Sequence, residues 1–203
     1  MPALTLDKVI EEARDLEQRL YHEDIYFEPP LEELLVVEFE RNHSIRLPET
    51  YRAFLTQIGN GSSETFGQAE GILPLDEAPH RYPISQSELR TLMSSPFPLR
   101  NDQSHQFLLE PHELNQGHLV IGCDDYETFY LLIIEGPCRG EIWQRKLDSG
   151  FMRCASRTDF FPWLEDRLLS LKNSLFSTSS EEEDEDEMGL EETESDEEEI
   201  KED

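Results

Sequence analysis

The apolar positions of this chain change period along its length. From residue 6 to residue 58 they recur at helical spacing. Leu6, Val9, Ile10, Ala13, Leu16 and Leu20 share one face of an amphipathic helix, with Thr5 at its N-cap position. Pro29-Pro30 interrupts the pattern. Leu31, Leu34, Leu35 and Phe39 then predict a second helix running to about Asn42. A third carries Tyr51, Phe54, Leu55 and Ile58 on one stripe. Pro48 suits its first helical position, where a missing N–H costs nothing. Gly59 and Gly61 supply the φ > 0 freedom that ends it.

Past Gly61 the period shortens. Residues 61–67 read as a polar loop, and Gly71-Ile72-Leu73-Pro74-Leu75 as a short strand that Pro74 assigns to an edge or a strand end. A helix over 84–94 is followed by a long loop through Pro96, Pro98 and the polar residues 101–106. Strands then follow one another closely. The first is His118–Cys123, with Asp124-Asp125-Tyr126 as a turn. The second, Thr128–Ile134, is apolar at both parities and so predicted to be central and covered on both faces. Glu135–Gly140 carries turn signals, Glu141–Lys146 is a third strand and Phe151–Ala155 a fourth. Thr158 is placed to cap a last helix bearing Phe161, Leu164, Leu168 and Leu171. Helices, then consecutive strands with short turns, then a helix predict an α+β fold with an antiparallel β-sheet packed with N-terminal and C-terminal helices.

Charge separates the end of the chain from its body. The formal net charge is −29, and residues 181–203 hold sixteen acids and one base, which leaves −14 for residues 1–180. Residues 177–203 form an almost unbroken acidic run with no aromatic residue. Such a segment cannot bury enough apolar surface to offset its ordering entropy, so a disordered acidic tail after a single domain at 1–176 is expected. The tail has three readings: a solvating segment, cover for a basic surface on a partner or on this chain, or a site of divalent-cation binding or phosphorylation. An acidic body argues against direct nucleic-acid binding, which needs a basic face, and against anionic membranes. It favours a basic protein partner. With no long apolar run and no basic, apolar leader, the expected location is cytoplasmic.

Candidate chemistry is sparse. Cys123, Cys138 and Cys154 are widely spaced, with no CxxC, and read as buried reduced thiols. His105, His112 and His118 lie near Glu110 and Glu113, but the spacing fits no metal-ligand pattern, and they read as surface-loop histidines. No GxSxG accompanies Ser62 and Ser63, and there is no P-loop or GxGxxG. Asp124-Asp125 reads as a turn former rather than a catalytic pair. No catalytic residue, cofactor or metal is therefore assigned.

One constellation is more specific. Leu47-Pro48, Tyr51, Phe54-Leu55 and Gly59-Asn60-Gly61 together resemble the signature of the SUKH superfamily, which groups bacterial toxin-immunity proteins with the yeast cell-wall-synthesis regulator Smi/Knr. Gly71–Leu75 before Asp76-Glu77 is similar to its Gly-apolar strand and acidic turn. His118–Gly122, Asp124-Asp125 and Tyr130–Leu132 are similar to its Ile-Gly, acidic turn, strand pattern. Gly140–Trp143 and Thr158–Leu164 resemble its later strand and C-terminal helix. The resemblance spans residues 31 to 171. Its second acidic turn lacks the usual glycine, and the stretch from 80 to 110 is long.

The resemblance implies an α+β domain with a non-enzymatic binding role. It points first to an immunity protein that neutralises a cognate toxin domain, for example a nuclease whose basic groove an acidic surface would fill. The alternative is a regulatory scaffold or interaction protein with no toxin partner. Asp76, Glu77, Asp124, Asp125 and Tyr126, all in predicted turns, are the candidate partner-binding residues. Tyr126 is the aromatic among them that would anchor a partner.

Overall fold

The aromatic stripe of the third helix and the doubly apolar second strand meet at the centre of the molecule. The computed structural model describes residues 6–20, 26–63, 71–78, 85–100, 115–124, 128–146, 150–153 and 159–178. In these residues the helices are α1 (Leu6–Leu20), α2 (Glu33–His43), α3 (Glu49–Gln57), α4 (Gln86–Ser94) and α5 (Phe160–Thr178). The strands are β1 (His118–Asp124), β2 (Thr128–Ile133), β3 (Ile142–Lys146) and β4 (Gly150–Arg153), antiparallel in the order β1-β2-β3-β4. This is the α+β architecture that the change of period predicts. Thr5, Thr158, Cys154 and the acidic segment from residue 179 lie outside the described residues.

Side chains alternate across a strand, so β2 sends Tyr130 and Leu132 to one side and Leu131 and Ile133 to the other. The first side meets the helices. Tyr51, Phe54 and Leu55 of α3 and Phe160, Trp163, Leu164 and Leu168 of α5 are buried in one cluster with Leu119, Ile121, Tyr130, Leu132 and Ile142. Ring contacts knit this layer: Tyr51 to Phe160 at 5.0 Å and edge-on, and Tyr130 to Trp163 at 5.3 Å. Among the described residues the opposite side is covered without a helix. Phe97 and Leu99 pack on Leu131, Ile133, Cys138 and Trp143, with the Phe97 and Trp143 rings 5.2 Å apart. The two prolines at 96 and 98 make this economical, because an extended segment lying on a sheet face brings fewer N–H groups that need partners. The doubly covered central strand is therefore as expected. Cys123 and Cys138 are buried, also as expected.

Several local expectations are corrected. Pro48 is the N-cap of α3, with ψ 141°, and Glu49 is the first helical residue. The Pro48 carbonyl already accepts the first helical bond, from Arg52 N at 2.9 Å. Gly61 has φ +101°, but Gly59 is not among the positive-φ residues. Gly59 is required by space instead: a Cβ there would lie 2.6 Å from the Glu28 carbonyl oxygen and 2.8 Å from Phe27 Cβ. Gly71–Leu75 is not a strand but a single bridge, Ile72 to Gly122. Pro74 has no N–H to continue a ladder, and the chain turns away at Leu75. His118 is not on a surface loop. It opens β1, is 7% exposed, and packs edge-on against Phe97.

The edge of β1 is closed by a stack of short backbone crossings. A bulge between Val120 and Gly122 bends β1 toward the 71–73 segment, where Leu73 N donates to the Ile121 carbonyl at 3.0 Å. Ser62 pairs in turn with Ile72, through Ser62 N to the Ile72 carbonyl at 2.9 Å and Ile72 N to Ser62 Oγ at 2.8 Å. Phe27 bridges Ser62 on the far side. Gly122 permits the crossing, since a Cβ there would meet the Gly71 carbonyl oxygen at 2.9 Å.

α2 and α3 are joined by charge. Arg52 of α3 donates to Glu40 at 2.6 Å and to Glu33, both on α2, and Glu40 also accepts from Leu47 N at 2.8 Å. α4 begins with a capping box between Ser85 and Glu88.

Two measurements test this packing. Gly59→Ala introduces a methyl against unyielding backbone, and is expected to lower stability by about 1–3 kcal/mol in urea denaturation. Burial, with a smaller contribution from Arg145, pushes the His118 imidazole down to about 4 from its ordinary 6.5, although Nδ1 donates to the Gln116 carbonyl at 3.0 Å. The unfolded chain then binds the extra proton first, so this contribution is complete above about pH 6.5 and is lost as pH falls toward 4. Between pH 7 and pH 5 the protein is expected to lose about 2 kcal/mol more stability than a His118→Gln variant. Equal slopes for the two would show that His118 is not the titrating group.

Candidate functional site

The acidic turn after residue 74 is held by backbone bonds, which leaves its side chains free to face solvent. Glu77 N and Ala78 N both donate to the Pro74 carbonyl at 3.0 Å, and Asn60 Oδ1 accepts from Leu75 N at 2.9 Å. Leu75 and Ala78 are buried, whereas Asp76 and Glu77 are exposed. The Ala78 carbonyl accepts from Val120 N at 3.3 Å, so the turn is fastened to the β1 edge at both ends.

Asp124 is the last residue of β1 and pairs with Thr128 of β2. Asp125 and Tyr126 lie outside the described residues. The 72–78 segment runs antiparallel to β1, with residue 72 beside residue 122 and residue 78 beside residue 120. The Asp76-Glu77 turn therefore sits toward the start of β1 and Asp124 at its end. About 13 Å of strand separates Val120 from Asp124. The fold brings the two acidic groups to one sheet edge but not into one cluster.

A second acidic feature has no counterpart in the sequence reading. An open cleft of about 480 Å³ lies where the start of α3 meets the β2–β3 turn and the start of α5. Its walls carry Glu49, Glu141 and Asp159, with Arg139 beside them. Arg139 is committed to backbone. Its guanidinium donates to the carbonyls of Arg46 at 2.7 Å and Leu47 at 2.9 Å, and to that of Ile134. Asp159 Oδ1 accepts from Thr50 Oγ1 at 3.1 Å and from Phe160 N at 2.7 Å, so it ties α5 to α3. Glu141 Oε2 accepts from Trp143 Nε1 at 3.0 Å. These contacts join residues up to 109 apart in the chain, so no local spacing could have revealed them. Arg139, Asp159 and Glu141 thus have structural duties, and the cleft reads first as the joint between helices and sheet.

Among the described residues no group of three or more His, Cys, Asp or Glu side chains is placed to hold a metal ion. The His105, His112, Glu110 and Glu113 group lies outside them. Among the described residues no helix is long and apolar enough to cross a membrane.

Helices on one face of an antiparallel sheet, an aromatic α3 stripe and glycine-permitted crossings at the β1 edge define an α+β domain. The chain matches the SMI1 / KNR4 family (SUKH-1) over residues 30–163 and belongs to that family. That span runs from Pro30 to Trp163, so it takes in α2, α3, the sheet and the start of α5. No curated protein matches the chain.

The Arg139 anchor gives a direct test. Arg139→Ala removes one charged donor from three carbonyls and is expected to cost about 1–2 kcal/mol of stability by urea denaturation, allowing for solvent access. Arg139→Lys keeps the charge but not the planar fork, and should recover less than half of that loss.

Proposed function

We propose that this chain is a non-enzymatic protein-binding domain of the immunity type, which neutralises a cognate toxin domain in the cytoplasm. The observation that carries the reading is the exposed Asp76-Glu77 pair, presented by a turn whose backbone is pinned to β1. Membership of the SMI1 / KNR4 family supports it, because immunity proteins belong to the superfamily that the sequence resembles. Charge supports it as well. A nuclease groove is basic where it holds phosphate, and an acidic turn competes for that position. In this reading Asp76 and Glu77 contact the partner, Asp124 and Asp125 extend the acidic edge, and Tyr126 supplies an aromatic anchor. The apolar residues of α3 belong to the core and take no part.

The test is co-expression of the chain with the protein encoded beside it, followed by pull-down and a toxicity-rescue assay. Rescue with a stable complex is expected. Asp76→Lys with Glu77→Lys should slow association at least about tenfold at low salt and flatten its salt dependence, with the thermal midpoint unchanged. No complex and no rescue would replace this reading with the regulatory-scaffold one.

A further inference from the structure

The Gly59-Asn60-Gly61 run after α3 is pressed between two other stretches of backbone. On one side a Cβ at Gly59 would lie 2.6 Å from the Glu28 carbonyl oxygen. On the other, Gly61 has φ +101°, and a Cβ there would lie 2.7 Å from the Ile72 carbonyl oxygen and 2.9 Å from Pro74 N. Neither position admits a side chain without displacing backbone, so Asn60 is fixed from both flanks. Its own backbone is held as well. Asn60 N donates to the Glu28 carbonyl at 3.1 Å, and Glu28 N to that of Gly61 at 3.1 Å. From this fixed base Asn60 Oδ1 accepts from Leu75 N at 2.9 Å, across fifteen residues of chain.

That bond falls where the acidic turn cannot provide for itself. Residues 75–78 make a single turn in which the Pro74 carbonyl accepts from Glu77 N and Ala78 N. As at the start of a helix, the N–H of the first residue has no partner inside the turn. Leu75 is 3% exposed, so an N–H left unbonded there would be poorly served by water. A carboxamide oxygen suits such an N–H, and here it arrives from a different segment. The remaining ties of residues 72–78 are of another kind. Leu73 N to the Ile121 carbonyl and Val120 N to the Ala78 carbonyl are backbone to backbone. Ser62 Oγ accepts from Ile72 N, but the bond from Ser62 N to the Ile72 carbonyl beside it would survive loss of the hydroxyl. Among these ties, the one at Leu75 is the one that a side chain supplies alone.

We propose that Asn60 is the positioning residue of the acidic turn: its carboxamide oxygen holds Leu75 N and thereby keeps Asp76 and Glu77, the next two residues, in one attitude toward a partner. This rests on the reading of that pair as a binding element. A carboxylate pair on an ordered turn meets a basic surface without first losing backbone freedom. The residue that orders the turn then acts on the lifetime of the complex without touching the partner.

Backbone amide relaxation measured by NMR on the full chain reads this order directly. Order parameters of the Asp76 and Glu77 amides are expected at about 0.85 in the unaltered chain and below about 0.6 in Asn60→Ala, with the β2 and β3 amides staying rigid. Asn60→Asp keeps an oxygen in the same place and should restore the rigid values. Ser62→Ala removes the neighbouring side-chain tie but leaves its backbone bond, and should leave Asp76 and Glu77 rigid. Asn60→Ser, whose hydroxyl stops short of Leu75 N, is the milder variant if Asn60→Ala does not fold. Loss of a merely stabilising contact would lower the thermal midpoint and leave these order parameters unchanged, and that result overturns the proposal. So do a turn already mobile in the unaltered chain, failure of Asn60→Asp to restore order, and equal loosening by Ser62→Ala. In a complex obtained by co-expression, Asn60→Ala should dissociate at least about tenfold faster, and an unchanged rate also overturns the proposal. Absence of any complex would strike the immunity reading alone, because the order parameters are measured on the free chain.

Discussion

An interior strand that is apolar on both faces has nowhere to present to water, and the arrangement of this domain follows from covering β2 twice. On one side the cover is helical. α3 and α5 bring Tyr51, Phe54, Phe160 and Trp163 against Tyr130 and Leu132. On the other side it is an extended segment carrying Phe97 and Leu99. Burial of such side chains contributes on the order of 1.5–3 kcal/mol each, which makes this three-layer stack the dominant stabilising feature. The two covers are also coupled to the sheet by backbone bonds. Phe97 N donates to the Glu135 carbonyl at 3.0 Å, and Arg139 grips the chain just before α3.

Covering a strand's faces does not protect the sheet's edge. β1 would expose unpaired N–H and C=O groups, a template for unwanted pairing. Here the edge is closed by successive single crossings at Ile72, Ser62 and Phe27, each too short to be a strand. The bulge at Ile121 turns the edge toward them, and Gly122 and Gly59 let backbones approach at distances a Cβ would forbid. This stack is also what fixes the acidic turn. Asp76 and Glu77 emerge from a backbone tied down by Asn60 and Val120, so a partner would meet a surface that is already ordered.

The acidic charge is divided by structural role. Glu33 and Glu40 are turned inward to Arg52 and orient α2. Asp159 ties α5 to α3, and Glu141 accepts from the Trp143 indole beside it. Asp76, Glu77 and Glu32 are exposed and make none of these contacts. A net charge far from zero favours solubility and steers association with basic partners, and only the outward acids can supply that selectively.

The helix periods, the doubly apolar second strand and the family signature were all legible in the sequence, because periodicity records which faces are buried. The stripe Tyr51, Phe54, Leu55, Ile58 is buried as its spacing implies. The spacing of Leu31, Leu34 and Leu35 gave the helix correctly but not its rotation, since nothing local told that Val36, with Glu33 and Glu40 on Arg52, would face inward. The same limit hid the burial of His118 under Phe97 and the reduction of Gly71–Leu75 to one bridge. Among the candidate binding residues, sequence supplied the acidic turns, and the fold added that Asp76-Glu77 and Asp124 share one strand edge at separated points. By itself the chain determined which elements form and which of their faces are apolar, because both are set by interactions within a few residues. Which apolar face finds a cover, which acid finds Arg52, Arg139 or Thr50, and which is left to meet a partner were decided only in three dimensions, by contacts between residues distant in the sequence.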